Sequence, residues 1–173
     1  MRTVTMIMLS VLAFFAHLLL SPVIAVFGAK IDFILIMVAA LAFFTRKWYP
    51  SLLAAVYVGV AVDITTQAGT FINTGLYLFF GVTLGIACAI FHERNWFIFG
   101  VVCAACCAIK HLVLSFLLYI MRLSATLTLS TFFHGMPSVL YTGAAALLLY
   151  FVYAWIFDLS FMQEKKETHH YLE

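Results

Sequence analysis

The sequence predicts an all-α membrane protein: six transmembrane helices in one integral membrane domain, residues 1–173, with N and C termini cytoplasmic. Three observations carry that reading. Hydrophobic residues make up 66% of the chain and charged residues 9%, whereas a soluble domain carries about 25% charged residues. A surface so poor in charge cannot be solvated by water, and a bilayer has to be the solvent. Apolar segments near the length of a span recur along the chain, separated by prolines, basic turns and polar runs. The basic residues divide unevenly between the two sets of alternate ends.

A spanning helix needs about 20 apolar residues, with a range of about 17–25. The first span is expected at about 4–20, where Ser21-Pro22 ends or kinks it. Met1-Arg2 before an apolar run has the outline of a secretory signal. The length of the run, the lack of a good small-x-small site and the spans that follow point instead to a first transmembrane helix. An apolar connector leads to Lys30. The second span is expected at 31–45, closed by Arg46-Lys47, and the third at 51–65, after Pro50. Both are short, which suggests interfacial ends or a thinned bilayer. The fourth is expected at 73–91, ended by His92-Glu93-Arg94, and the fifth at 96–121, ended by Arg122. The sixth is expected at 137–157, with Pro137 in its first turn, before a cytoplasmic tail at 163–173. Between the last two spans, Ser124, Thr126, Thr128 and Ser130 alternate with apolar residues. That stretch reads equally as a strand-like or re-entrant piece and as an interfacial turn.

Six spans put both termini on one side. That side holds Arg2, Arg46, Lys47, Arg94, Lys165 and Lys166, and the other holds Lys30 and Arg122. Basic residues collect on the cytoplasmic side, which makes the termini cytoplasmic. Trp48, Tyr49, Trp96 and Trp155 fall near span ends, as an aromatic belt does.

The functional centre is expected at Val58 to Gly85. An apolar segment there climbs to Asp63, breaks into a polar run from Thr65 to Asn73, and re-enters an apolar helix. In a membrane such a break is tolerated where it is buried in protein or lines a cavity. Asp32, Asn73 and Thr74 are candidates for a polar cavity or for helix caps. Gly81 and Gly85 form a GxxxG pair that lets two backbones approach, as a face for a partner's helix or as internal packing. Lys110 is the one basic residue inside a span. Ionisable groups at that depth usually face the interior and pair. Rising 1.5 Å per residue, Asp63 and Lys110 come to similar depths, so they are the expected buried ion pair, with Asp32 as second choice for Lys110. His17 and His111 lie in apolar helices and are expected to hydrogen-bond a neighbouring helix.

Several classes are disfavoured. A net charge of +2, scattered along the chain, does not suggest nucleic acid. No GxxxxGK[ST], HExxH or GxSxG motif occurs, and no two carboxylates lie close in one span. His111 and Ser115 stand one helical turn apart with no orienting acid, so no catalytic site is expected. Cys88, Cys103, Cys106 and Cys107 all lie in apolar segments and read as packing residues. No metal site and no cofactor are expected.

The order of features resembles the MreD family of rod-shape-determining membrane proteins. An acid opens the second span (Ile31-Asp32-Phe33-Ile34-Leu35), and a basic turn follows (Arg46-Lys47). A glycine-containing third span ends in an acid (Gly59-Val60-Ala61-Val62-Asp63). A fourth span is then entered at Gly75-Leu76-Tyr77. The likeness covers about 4–157. It departs from the family at Ile31, where Pro is usual before the Asp, and at Ala61-Val62, where the third span often reads Gly-Leu-x-x-Asp. The resemblance implies a bundle similar to vitamin-uptake S-components, in the bacterial cytoplasmic membrane. It implies a non-catalytic subunit of the cell-elongation complex of lateral peptidoglycan synthesis. Its partners would be an MreC-like single-span protein, MreB, RodA, a penicillin-binding transpeptidase and membrane lipid. The alternative is a substrate-binding S-component of an energy-coupling-factor vitamin transporter. Ala13 and Ala16, flanked by Phe14 and Phe15, depart from the Ala-x-x-x-Ala docking stripe of that class.

Overall fold

The structure is a computed structural model that describes residues 2–25, 29–45, 48–65, 71–90, 95–120 and 129–158. Its elements are helical: α1 (Arg2–Phe15), a π-turn (Ala16–Leu20), α2 (Ser21–Val23), α3 (Phe33–Thr45), α4 (Trp48–Thr65), α5 (Ile72–Ile90), α6 (Trp96–Ile120) and α7 (Leu129–Asp158). The basic turns at Arg46-Lys47 and Arg94, the segment 121–128 with Arg122, and the tail at 163–173 lie outside the described residues.

Val4–Val23, Trp96–Leu117 and Gly135–Asp158 are long and apolar enough to cross a membrane, and Phe33–Thr45, Tyr49–Thr65 and Ile72–Cys88 are shorter apolar helices. This all-helical, apolar architecture is that of a membrane protein. The shortness of α3 has a physical reason other than a thinned bilayer. Every residue from Ile34 to Thr45 is buried, and α1, α4, α5, α6 and α7 all pack against it. A helix apolar all round is a buried helix. Enclosed by protein, it need not match the thickness of the hydrocarbon.

Two helical hairpins flank α3. In the first, α4 and α5 meet closely: a Cβ on Gly59 would stand 2.7 Å from Thr74 Cα, and one on Gly81 would stand 3.0 Å from the Ser51 carbonyl oxygen. Ser51 Oγ donates to the Gly81 carbonyl at 2.9 Å. In the second, Gly143 of α7 faces Ala104 and Gly100 of α6. α1 lies on α3 and α4. At one end of the bundle, aromatic rings fill the core, with Phe44 stacked on Phe157 at 5.2 Å and Phe43 edge-on to Phe99 at 5.5 Å. The opposite end, where α3, α5 and α7 begin, is polar.

Two helix starts differ from expectation. Pro50 lies inside the first turn of α4, which begins at Trp48. The first N–H groups of a helix have no intrahelical partner, so a proline there forfeits nothing. α7 begins at Leu129, not at Pro137, which sits inside it. Membrane helices tolerate internal proline because neighbouring groups re-satisfy the freed backbone. The described part of the alternating stretch, 129–136, is therefore helix.

Candidate functional site: a buried charge cluster at the polar end

Asp32 stands just before α3, and its Oδ1 accepts the Leu35 N–H at 3.1 Å, an N-capping bond. Its own N–H donates to Thr142 Oγ1 of α7 at 3.2 Å. Asp32 is 7% exposed, and three helices supply its partners. The Tyr77 hydroxyl of α5 lies 3.1 Å from both oxygens. The Lys110 ammonium of α6 reaches Oδ2 at 2.5 Å. It also donates to the Tyr77 oxygen at 2.5 Å and sits 4.3 Å from the centre of that ring. An acid, a base and a phenol from three elements thus satisfy one another where no water is needed. From α1 side, His17 Nδ1 approaches Asp32 Oδ1 to 4.0 Å.

Further polar contacts brace the chain leading into α3. Ser21 Oγ donates to the Ile31 carbonyl at 2.9 Å. The Lys30 N–H donates to Ser138 Oγ at 3.1 Å. The Tyr141 hydroxyl donates to the Ile24 carbonyl at 2.9 Å. The entry to α3 is therefore tied to α2 and α7 before Asp32 is reached.

The expected Asp63–Lys110 pair is corrected: Lys110 is bound to Asp32. Depth along two helices says nothing about the direction each side chain faces, and Asp63 faces α5. Its Oδ1 accepts the Asn73 N–H at 3.2 Å and Asn73 Nδ2 at 2.9 Å. Its Oδ2 accepts the Thr74 N–H at 2.8 Å and Thr74 Oγ1 at 2.6 Å. The orphan N–H groups at the start of α5 are thus capped by a side chain from α4. Asn73 and Thr74 sit at that start as donors to Asp63. Tyr77 lies one turn further along the same face, so α5 connects the two carboxylates.

Of the two readings of the glycine pair, internal packing holds at Gly81, which packs against Ser51 and Ala55 of α4; Gly85 is buried. Sequence reasoning did not single out Thr142, and it named Tyr77 and Gly59 only within the resemblance motifs, without the contacts they make. Tyr77 carried a signal: a phenol four residues beyond Asn73, in an apolar helix, needs a hydrogen-bond partner once buried.

Cys103, Cys106 and Cys107 are buried, Cys88 is half-buried, and all four are free thiols. Among the described residues, no group of three or more His, Cys, Asp or Glu is arranged to hold a metal ion. An apolar pocket of about 600 Å³ opens between α1, α3 and α4, lined by residues that include Ile7, Phe14, Leu41, Leu53, Tyr57 and Val58. Ser10 lies on its wall with its hydroxyl already donated to the Met6 carbonyl at 2.8 Å. No family model, curated protein or solved structure matches the chain in comparisons with known proteins.

Proposed function

We propose that the protein is a non-catalytic membrane subunit of the bacterial cell-elongation machinery, similar to MreD. In this reading six helices cross the cytoplasmic membrane with both termini inside. The subunit binds an MreC-like single-span partner and couples it to the peptidoglycan-synthesis enzymes. Its ordered motifs support this: Asp32 before the second span, Gly59 to Asp63 in the third, and Gly75 to Tyr77 in the fourth. The observation that carries it is the use to which the buried carboxylates are put. Asp63 accepts from both Asn73 and Thr74, and Asp32 accepts from Tyr77 and Lys110. These charges clamp helices together. A rigid membrane body that holds other proteins needs such clamps, whereas an acid that moves protons in catalysis needs a free, reactive site. The partner's helix has to bind away from Gly81, because α4 covers it.

Depletion of the protein from a rod-shaped bacterial host tests the reading. Widened, rounded cells, rescued by the wild-type chain, are expected, together with co-purification of a single-span partner. Normal rods with a defect in vitamin uptake would overturn it in favour of the transporter S-component. An impermeant thiol reagent added outside the cell should leave a cysteine at Glu167 unlabelled, and labelling there would reverse the orientation.

A further inference from the structure

α1 and α4 meet incompletely. Leu9, Ser10 and Ala13 of α1 are buried, whereas Ile7 and Val11 are exposed. On α4, Ala54 and Val58 are buried, whereas Leu53 and Tyr57 are exposed. Ser10, Ala54 and Ala61 are small, and between the two helices, with Leu41 of α3 on its wall, lies the apolar slot of about 600 Å³. Ile7, Val11, Leu53 and Tyr57 also line it. Because these four are exposed, the slot opens sideways, toward the hydrocarbon that surrounds the bundle.

Ser21, past the end of α1, bonds the Ile31 carbonyl before α3, so α1 runs antiparallel to α3. The start of α1, the end of α3 and the start of α4 therefore share one end of the bundle. The lining runs from Met6 to Phe14 on α1 and from Tyr49 to Ala61 on α4. At 1.5 Å per residue those stretches are about 12 Å and about 18 Å long. Half of a hydrocarbon core about 30 Å thick is about 15 Å, so the slot is as long as one leaflet is deep. A methylene takes about the room of a water molecule, ~30 Å³, so an acyl chain of about 16 carbons needs roughly 480 Å³ and fits. A helix about 10–12 Å across would need more than about 900 Å³ over the same length, and could seat only its edge. Water leaves apolar cavities dry, and an empty slot forfeits the dispersion contacts of its walls. The Ser10 hydroxyl is engaged by the Met6 carbonyl at 2.8 Å and by Met37 Sδ at 3.7 Å, so it calls for no polar ligand.

We propose that the slot is a lipid site: one acyl chain of a phospholipid, from the leaflet on the N-terminal side, lies between α1 and α4 and is held there. Its headgroup sits at the end marked by Tyr49, an exposed ring in the first turn of α4, as aromatic residues sit at headgroup level. The chain completes the contact that the two helices do not make themselves. Lipid tails are as apolar as leucine, so entry gains nothing from hydrophobicity. The chain is retained by fit, and a change of shape in the slot releases it. Such a site depends on a bilayer around the bundle and not on the role in cell shape.

Photolabelling of the full chain in nanodiscs tests it. The probe is phosphatidylglycerol with a diazirine part way along one acyl chain, at trace level in unlabelled phosphatidylglycerol. Val11 in the slot is compared with Val152 on α7, the same residue type at the same 49% exposure. Phe157 stacks on Phe44, so α7 ends where α3 ends. Val11 lies about 14 Å from the start of α1 and Val152 about 9 Å from the end of α7, within one leaflet. Val11 should be labelled several-fold more than Val152, and equal labelling would overturn the lipid site. Label at Val152 with none at Val11 would overturn it and leave the membrane reading intact. Label at neither would overturn both. Leu53→Trp with Ala61→Phe fills the slot from its rim and inner end. Label at Val11 should then fall to the level of Val152, and undiminished label would overturn the site. If that variant does not fold, native mass spectrometry of the wild-type chain released from the same nanodiscs decides. One retained phospholipid per chain is expected, and release of the bare chain would overturn the site.

Discussion

Replacing Lys110 by Met removes the ammonium from Asp32 and keeps most of the side-chain volume. It leaves the buried Asp32 carboxylate with, among the described residues, the Tyr77 hydroxyl and the Leu35 N–H as donors. Stranding one member of a buried pair costs about 3–5 kcal/mol, a large share of a total stability of about 5–15 kcal/mol. For a chain of this length, that lowers the midpoint of thermal unfolding by roughly 6–20 °C. Asp32→Asn alone should be costly for the converse reason, because it strands the ammonium. The double variant should recover part of the loss, with a coupling of about 0.5–3 kcal/mol. The assay is a double-mutant cycle on unfolding of the purified protein in detergent. A second cycle, on Asp63 and Lys110, should be additive within about 0.5 kcal/mol. Additive losses in the first cycle, or strong coupling in the second, would refute the assignment of Lys110 to Asp32.

The cap on α5 is tested at Thr74. Thr74→Val removes a 2.6 Å bond to a carboxylate and should cost about 1.5–3 kcal/mol, read from the same unfolding midpoints, with Asp63→Ala costing more than Asp63→Asn. Two glycines of one helical hairpin should respond in opposite senses. Gly59→Ala would press on the backbone of Thr74 and should lose about 1–3 kcal/mol. Gly75 has nothing within 4 Å of its missing Cβ, so Gly75→Ala should be neutral or gain about 0.5–1 kcal/mol. Equal effects at both positions would mean that α4 and α5 do not pack as described.

The helices that pack around the charge cluster could be read from composition and hydropathy, because the solvent each segment needs is a local property. The end of the first helix was visible only approximately: the helix runs through Ser21-Pro22 to Val23 after the π-turn at Ala16–Leu20, because a proline in a turn that has already lost its regular hydrogen bonding need not stop the helix there. The exceptional standing of Asp32, Asp63 and Lys110 also followed from the sequence, since a charge in an apolar segment has to be matched somewhere. Asp32 was named as the second choice for Lys110, and the ranking failed because it rested on depth alone.

Partners, neighbours and the centre of the bundle were decided by tertiary structure. Rise per residue gives the height of a side chain in the membrane, but its direction depends on how the helices rotate and in what order they pack. Those rotations sent Asp63 to the start of α5 and Lys110 to the start of α3. The same packing enclosed α3, laid α4 over Gly81, and opened a π-turn at Ala16–Leu20. The sequence by itself determined that the chain is apolar and helical and that its few buried charges must be satisfied. Which group satisfies which is a property of contacts between residues far apart in the chain, such as Asp32, Tyr77, Lys110 and Thr142, and only the folded arrangement brings those four together.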